Sequence, residues 1–84
     1  MYVFAVLKNR NETMQFINIL KRSHIVVDLV STPKGLGSSC SVSAKFFFKD
    51  IERVKSIVAY YNFTGVKNYF KLTNRFNHAM YELL

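Results

Sequence analysis

The chain has 84 residues, half of them hydrophobic and a fifth charged, with twelve Lys and Arg against five Asp and Glu for a net charge of +7. This is the balance of one small globular domain, able to bury somewhat over ~60% of its unfolded surface. One cysteine, Cys40, excludes an internal disulfide framework and a cysteine-based zinc site, and the isolated His24 and His78 supply no metal site either. No cofactor or metal is therefore expected. The apolar run from Tyr2 to Leu7 is too short for a signal-peptide core, and nothing approaches a membrane span. A reducing, cytoplasmic setting is the expectation, in which the two Asn-x-Thr triplets at Asn11 and Asn62 are irrelevant to glycosylation.

Residues 2–8 are apolar on both sides and rich in strand formers, which predicts a central strand. Asn9-Arg10-Asn11 then breaks the run and offers a helix cap. From Glu12 to Ser23, Phe16, Ile17 and Leu20 form a helical stripe, with Lys21 and Arg22 in the last turn, where cations complement the helix dipole. Residues 25–31 give a second strand, interrupted by Asp28. The only Gly/Pro/Ser-rich stretch follows, from Thr32 to Cys40. Residues 41–48 alternate, with Val42, Ala44, Phe46 and Phe48 on one face and Ser41, Ser43, Lys45 and Phe47 on the other.

Asp50 is a good cap for a second helix with Ile51, Val54, Ile57, Val58 and Tyr61 in its stripe, ended by Gly65. Residues 66–72 predict a fourth strand, with Val66, Asn68, Phe70 and Leu72 on one face and Lys67, Tyr69 and Lys71 on the other. Beyond it, Phe76, Ala79, Met80, Leu83 and Leu84 fall at helical spacing. The reading is a domain over residues 1–73 and a short amphipathic helical tail over residues 74–84.

The order βαββαβ predicts an α+β fold, a ferredoxin-like sandwich with a four-stranded antiparallel sheet in the order 4-1-3-2 and two helices on one face. Its other face would carry Val26, Val30, Phe47 and Tyr69 with one side of the first strand. So large an apolar patch calls for a cover, either the tail helix or a second copy of the chain.

The segment from Ser31 to Phe46 is the specific one. It resembles the signature of the small selenium/sulfur carrier-like family, whose members show Thr-Pro-x-x-(Leu/Ile)-x-Ser-Ser-Cys-Gly-(Leu/Val)-(Ala/Ser) between two strands. The matching residues are Thr32, Pro33, Leu36, Ser38, Ser39, Cys40, Val42 and Ser43. The flanks fit too: a Tyr-bearing first strand and helix over Tyr2–Leu20, and a helix start like Asp50-Ile51-Glu52-Arg53-Val54. The resemblance covers roughly residues 2–72, and Ser41 departs from it where the family has Gly. It implies a ferredoxin-like domain that holds sulfur or selenium on Cys40, loaded by a cysteine desulfurase or similar donor and emptied by an acceptor.

Carrier chemistry needs one accessible thiolate and is not helped by a second cysteine, which would discharge the cargo early. In the predicted topology the loop between strands two and three shares an end of the sheet with the end of strand one and the start of the first helix. Cys40 is thus expected near Lys8, Arg10 and Lys34, cations which together with a helix N-terminus favour a thiolate. Ser38 and Ser39 are small and leave a thiol open to a donor. A buried, inert cysteine is the competing reading. Gly35-Leu36-Gly37-Ser38-Ser39 also suggests an anion nest, but a strand follows it where a phosphate loop has a helix.

Two other classes fit the composition. Basic charge and sheet aromatics suggest a single-stranded nucleic-acid binder, with Phe47 and Lys45 on strand three, either Tyr2 and Phe4 or the opposite face of strand one, and Lys67, Tyr69 and Lys71 on strand four. Ser41–Phe48 lacks the strand-three pattern of such modules, and the basic residues are dispersed, so nucleic acid is the disfavoured partner. A regulatory or assembly module, dimeric through its open sheet face or its tail, is the other. No nucleophile–base pair, carboxylate pair or nucleotide motif suggests an enzyme.

Overall fold

The computed structural model describes residues 1–36, 41–75 and 78–84. Strands β1 (Tyr2–Leu7), β2 (Val27–Ser31), β3 (Val42–Phe47), β4 (Val66–Arg75) and β5 (His78–Leu83) form one sheet in the order β2-β3-β1-β4-β5, with every neighbouring pair antiparallel. Helix α1 (Arg10–Arg22) links β1 to β2, and α2 (Ile51–Tyr60) links β3 to β4 after a single 3₁₀ turn at Phe48–Asp50. The first four strands keep the expected ferredoxin-like order. The fifth is an addition.

α1 begins two residues before the expected Glu12, capped by Asn9: its side chain accepts the Glu12 amide at 2.9 Å, and its carbonyl accepts the Thr13 hydroxyl at 2.9 Å. Both helices close on a left-handed residue, His24 at φ 61° and Asn62 at φ 52°. Ile25 N–H reaches back to Leu20 and Phe63 N–H to Val58, each at 3.0 Å, which satisfies carbonyls the helix leaves open. Asn62, three residues earlier than the expected Gly65, therefore ends α2. Asp50 makes no side-chain cap; it lies 3.7 Å from Arg53 instead.

The main core lies between the sheet and the helices. Val3, Ala5 and Leu7 of β1 meet Phe16, Ile17 and Leu20 of α1, Ala44 and Phe46 of β3, and Ile51 and Val54 of α2. A second, smaller cluster lies on the other face, where Phe4, Val6 and Leu36 pack with Val30, Phe70, Leu72 and Tyr81.

Two further expectations, both about the sheet, are corrected. The register of β4 against β1 passes from Val6↔Asn68 to Leu7↔Val66, so Lys67 is an extra residue. This bulge reverses the alternation. Val66 and Tyr69 face the helices, while Phe70 and Leu72 face the other side. Tyr69 therefore lies against Phe46, ring centroids 6.3 Å apart, and not on the open face. The second correction is the tail: no C-terminal helix forms among the described residues. β4 runs on to Arg75, and β5 pairs with it from Phe70↔Leu83 to Arg75↔His78. An isolated helix of about eleven residues is marginal in water, whereas a strand beside β4 satisfies its backbone at once. The tail thus extends the sheet beside the second face instead of lying across it. Tyr81 reaches back over Phe4, edge to face at 5.7 Å.

Candidate functional site

The β2–β3 connection is fixed at its base from both strands. Ser31 pairs with Val42, and the Thr32 amide donates to the Ser41 carbonyl at 2.9 Å. One position inward, the Thr32 and Ser43 hydroxyls are 2.7 Å apart, with Ser43 wholly buried. The outgoing limb turns at Lys34 and Gly35, the latter at φ 96°, a conformation that favours glycine. Leu36 then drops onto Phe4 and Val6 and is only 8% exposed. Burial of a leucine side chain is worth about 1.5–3 kcal/mol, enough to hold this limb on the second face of the sheet.

Cys40, Ser38 and Ser39 lie, with Gly37, outside the described residues. Their chain neighbours Leu36 and Ser41 are placed. Because β3 runs antiparallel to β1, with Ala5 opposite Ala44, the start of β3 lies towards the end of β1. That is where Lys8 leaves the sheet, its amide on the Gly65 carbonyl at 2.9 Å, and where Arg10 opens α1. The topology therefore brings the loop base, the end of β1 and the amino end of α1 to one end of the molecule. Lys8, Arg10 and Lys34 are all exposed. The Thr32–Ser43 hydroxyl pair and the Leu36 anchor were not foreseen; Leu36, the loop's one leucine among small and polar residues, was the available signal for the second.

The rings on the second face are largely engaged with one another. Phe4 is 6% exposed beneath Tyr81. Tyr2 and Phe47 stack at 5.1 Å, with Lys45 Nζ 4.0 Å above the Tyr2 ring and Lys49 Nζ 5.6 Å from that of Phe47. These rings stabilise the pairing of the interior strands β1 and β3 through stacking and cation–π attraction and are not splayed for bases to enter. Asp28 stands opposite Lys45 in the register of β2 and β3, on an edge strand.

At the opposite end an open groove of about 450 Å³ is lined by Ser23, Glu52, Arg53, Ser56 and Ile57. Arg53 spans it, donating to the Ser23 carbonyl at 3.4 Å. His24 lies beside this end and His78 on β5, so neither histidine belongs to the loop end. Among the described residues no three His, Cys, Asp or Glu side chains gather as metal ligands, and no helix is long and apolar enough to cross a membrane.

Compared with known families, residues 2–68 match the family described as "Putative Se/S carrier protein-like". The match runs from β1 into the start of β4 and includes the whole β2–β3 connection. The rest of β4 and all of β5 lie beyond it. No curated protein matches the chain.

Proposed function

From the premise that the chain belongs to this Se/S carrier protein-like family, we propose that it carries a single sulfur or selenium atom on Cys40 and is not itself a turnover enzyme. The observation that carries this reading is the family match, which spans the loop holding the chain's only cysteine.

In the loading step the Cys40 thiolate attacks the outer sulfur of a donor persulfide. A bond forms between Cys40 Sγ and that sulfur, the donor's S–S bond breaks, and the donor cysteine leaves as a thiolate. With selenium the new bond is S–Se and the donor a perselenide. Delivery reverses the roles: an acceptor nucleophile takes the outer atom and Cys40 leaves as thiolate. Neither step needs an external oxidant or reductant.

Lys8, Arg10 and Lys34, together with the amino end of α1, are the groups in this reading that favour the thiolate over the thiol. Ser38 and Ser39, its small neighbours in the chain, suit an accessible thiol by their size alone. A cysteine desulfurase is the fitting donor, and a reducing cytoplasm the fitting setting, because it keeps an unloaded thiol free.

The test is intact-protein mass spectrometry after incubation with an active desulfurase and cysteine. One added sulfur atom, removed by a reductant and absent from Cys40→Ser, is expected. A protein that stays unmodified beside a demonstrably active donor overturns the reading. Iodoacetamide labelling against pH adds a second check, with half-maximal reaction expected below the free-thiol value of about 8.5.

A further inference from the structure

The fifth strand supplies none of the residues of the proposed carrier site and lies beyond the family-matched residues. It is also the sheet's outer edge on that side, since β4 is its only strand neighbour among the described residues. Leu84 N–H donates to Tyr69 at 2.9 Å and Thr73 Oγ1 to the Met80 carbonyl at 3.3 Å, so the even-numbered backbone groups of β5 turn inward. By the alternation of an antiparallel ladder, the N–H and C=O groups of Ala79 and Tyr81 turn outward.

Such an edge is normally blunted by lysine, proline, a bulge or inward charge. At the other edge, β2 carries Asp28 mid-strand. The sequence of β5, His-Ala-Met-Tyr-Glu-Leu, likewise carries one carboxylate, Glu82, but neither lysine nor proline. Met80 at its centre is 50% exposed and Leu83 65% exposed.

We propose that β5 pairs antiparallel with β5 of a second copy of the chain, joining two five-stranded sheets into one of ten strands. Charge selects the register. Outward hydrogen bonding requires the two-fold axis to pass through a residue of the strand and not between two, so that outward-turned residues face each other. Centred on Met80, it sets Ala79 and Tyr81 of the two copies in mutual hydrogen bonds, Met80 opposite Met80, and His78 opposite Glu82 on each side. Centred on Tyr81, it sets the Glu82 carboxylate against Met80. The first arrangement is self-complementary and the second is not. In the first, Glu82 stands between Lys71 of its own β4 and His78 of the second copy, so each carboxylate has a polar partner across the axis. The interaction is isologous, as closed dimers require.

Light scattering and sedimentation of the full chain, with or without Cys40→Ser, should give twice the monomer mass at physiological salt. Ala79→Pro removes one outward N–H without touching the pairing to β4, and should return the monomer while leaving the far-ultraviolet circular dichroism unchanged. Across a non-hydrogen-bonded pair the Cα atoms stand about 4.5 Å apart, within disulfide reach. Met80→Cys in the Cys40→Ser background should therefore cross-link to a dimer under mild oxidation, and Ala79→Cys, two positions out of register with itself, should not. A monomer at millimolar concentration overturns the proposal. So does a dimer that persists in Ala79→Pro, or one cross-linked through residue 79 in preference to residue 80. Because every measurement can be made with Cys40 replaced, failure here leaves the carrier reading where it stands.

Discussion

The hydroxyls of Thr32 and Ser43 meet at 2.7 Å across the base of the β2–β3 connection, and one is far more enclosed than the other: Ser43 is fully buried, while Thr32 is half-buried. The two single replacements should therefore differ. Thr32→Val leaves the buried Ser43 hydroxyl without this partner and should cost about 1–3 kcal/mol, the range for stranding a buried polar group. Ser43→Ala leaves Thr32 where water can reach it and should cost about 0.5–1.5 kcal/mol. The double replacement should cost less than the sum. Urea unfolding of the four proteins checks the order, and equal costs for the two single changes would contradict it.

Gly65 is a close-approach glycine. A Cβ there would stand 2.5 Å from Glu12 Oε2 and 2.7 Å from Phe63 Cζ. The carboxylate can swing away, but the Phe63 ring is packed against Phe16 at 6.0 Å and against the main core. Gly65→Ala should destabilise by about 1–3 kcal/mol, as overpacking does. Adding Glu12→Ala should recover only a minor part of the loss in thermal unfolding, because the ring contact remains.

The order of the first four strands and both helices were legible because their apolar periods are strong: Phe16, Ile17 and Leu20 leave little choice of face. The phase of β4 was not. A strict two-residue period puts Tyr69 with Lys67 and Lys71, and only the extra residue in the ladder, Lys67, undoes it. A bulge depends on how a partner strand is paired, which no single-strand pattern carries. The tail failed for a related reason. Ala79, Met80 and Leu83 fit a helix, but Ala79, Tyr81 and Leu83 fit a strand equally well, and the free edge of β4 decides between them. At the site, Lys8, read as the last residue of the first strand, directly follows β1, and Arg10, read as part of the break before a helix from Glu12, is the first residue of α1. The anchoring of Leu36 on Phe4 is a tertiary contact invisible to local pattern.

Burial against the main core pushes the Tyr69 phenol up from 10.0 to about 12. The neutral phenol is thus favoured in the folded protein more than in the unfolded chain. This contribution to stability is complete below pH 10 and is lost as the pH rises from about 10 towards 12, since the unfolded chain releases the proton first. In a spectrophotometric tyrosine titration, one of the five tyrosines should ionise last, and Tyr69→Phe should remove that final phase. A titration unchanged by the substitution would assign the late phase elsewhere.

His24 ends α1 in the left-handed region at φ 61°, where a side chain with a Cβ costs about 1–2 kcal/mol. Glycine relieves that strain but loses more chain entropy on folding, about 0.5–1 kcal/mol. His24→Gly should therefore raise stability by about 0.5–1 kcal/mol in chemical denaturation. His24→Ala should not raise it. The exposed imidazole lies at the groove end of the molecule, so sulfur loading on Cys40 should be unaffected by either change.

Leu36 connects the fold to the proposed chemistry. It is the described residue that ties the outgoing limb of the loop to Phe4 and Val6, four positions before Cys40 in the chain. Leu36→Ala removes most of that contact and opens the second face above Phe4. Core Leu→Ala changes cost about 2–5 kcal/mol, and the lower part of that range is expected here because a loop can settle into the space. Leu36→Met keeps the volume and should cost under about 1.5 kcal/mol. If a fixed limb presents Cys40 to its donor, sulfur uptake in Leu36→Ala should fall severalfold at a temperature where circular dichroism shows the variant folded, while Leu36→Met loads normally. Normal uptake by folded Leu36→Ala would mean that donor docking, and not this anchor, positions the thiol.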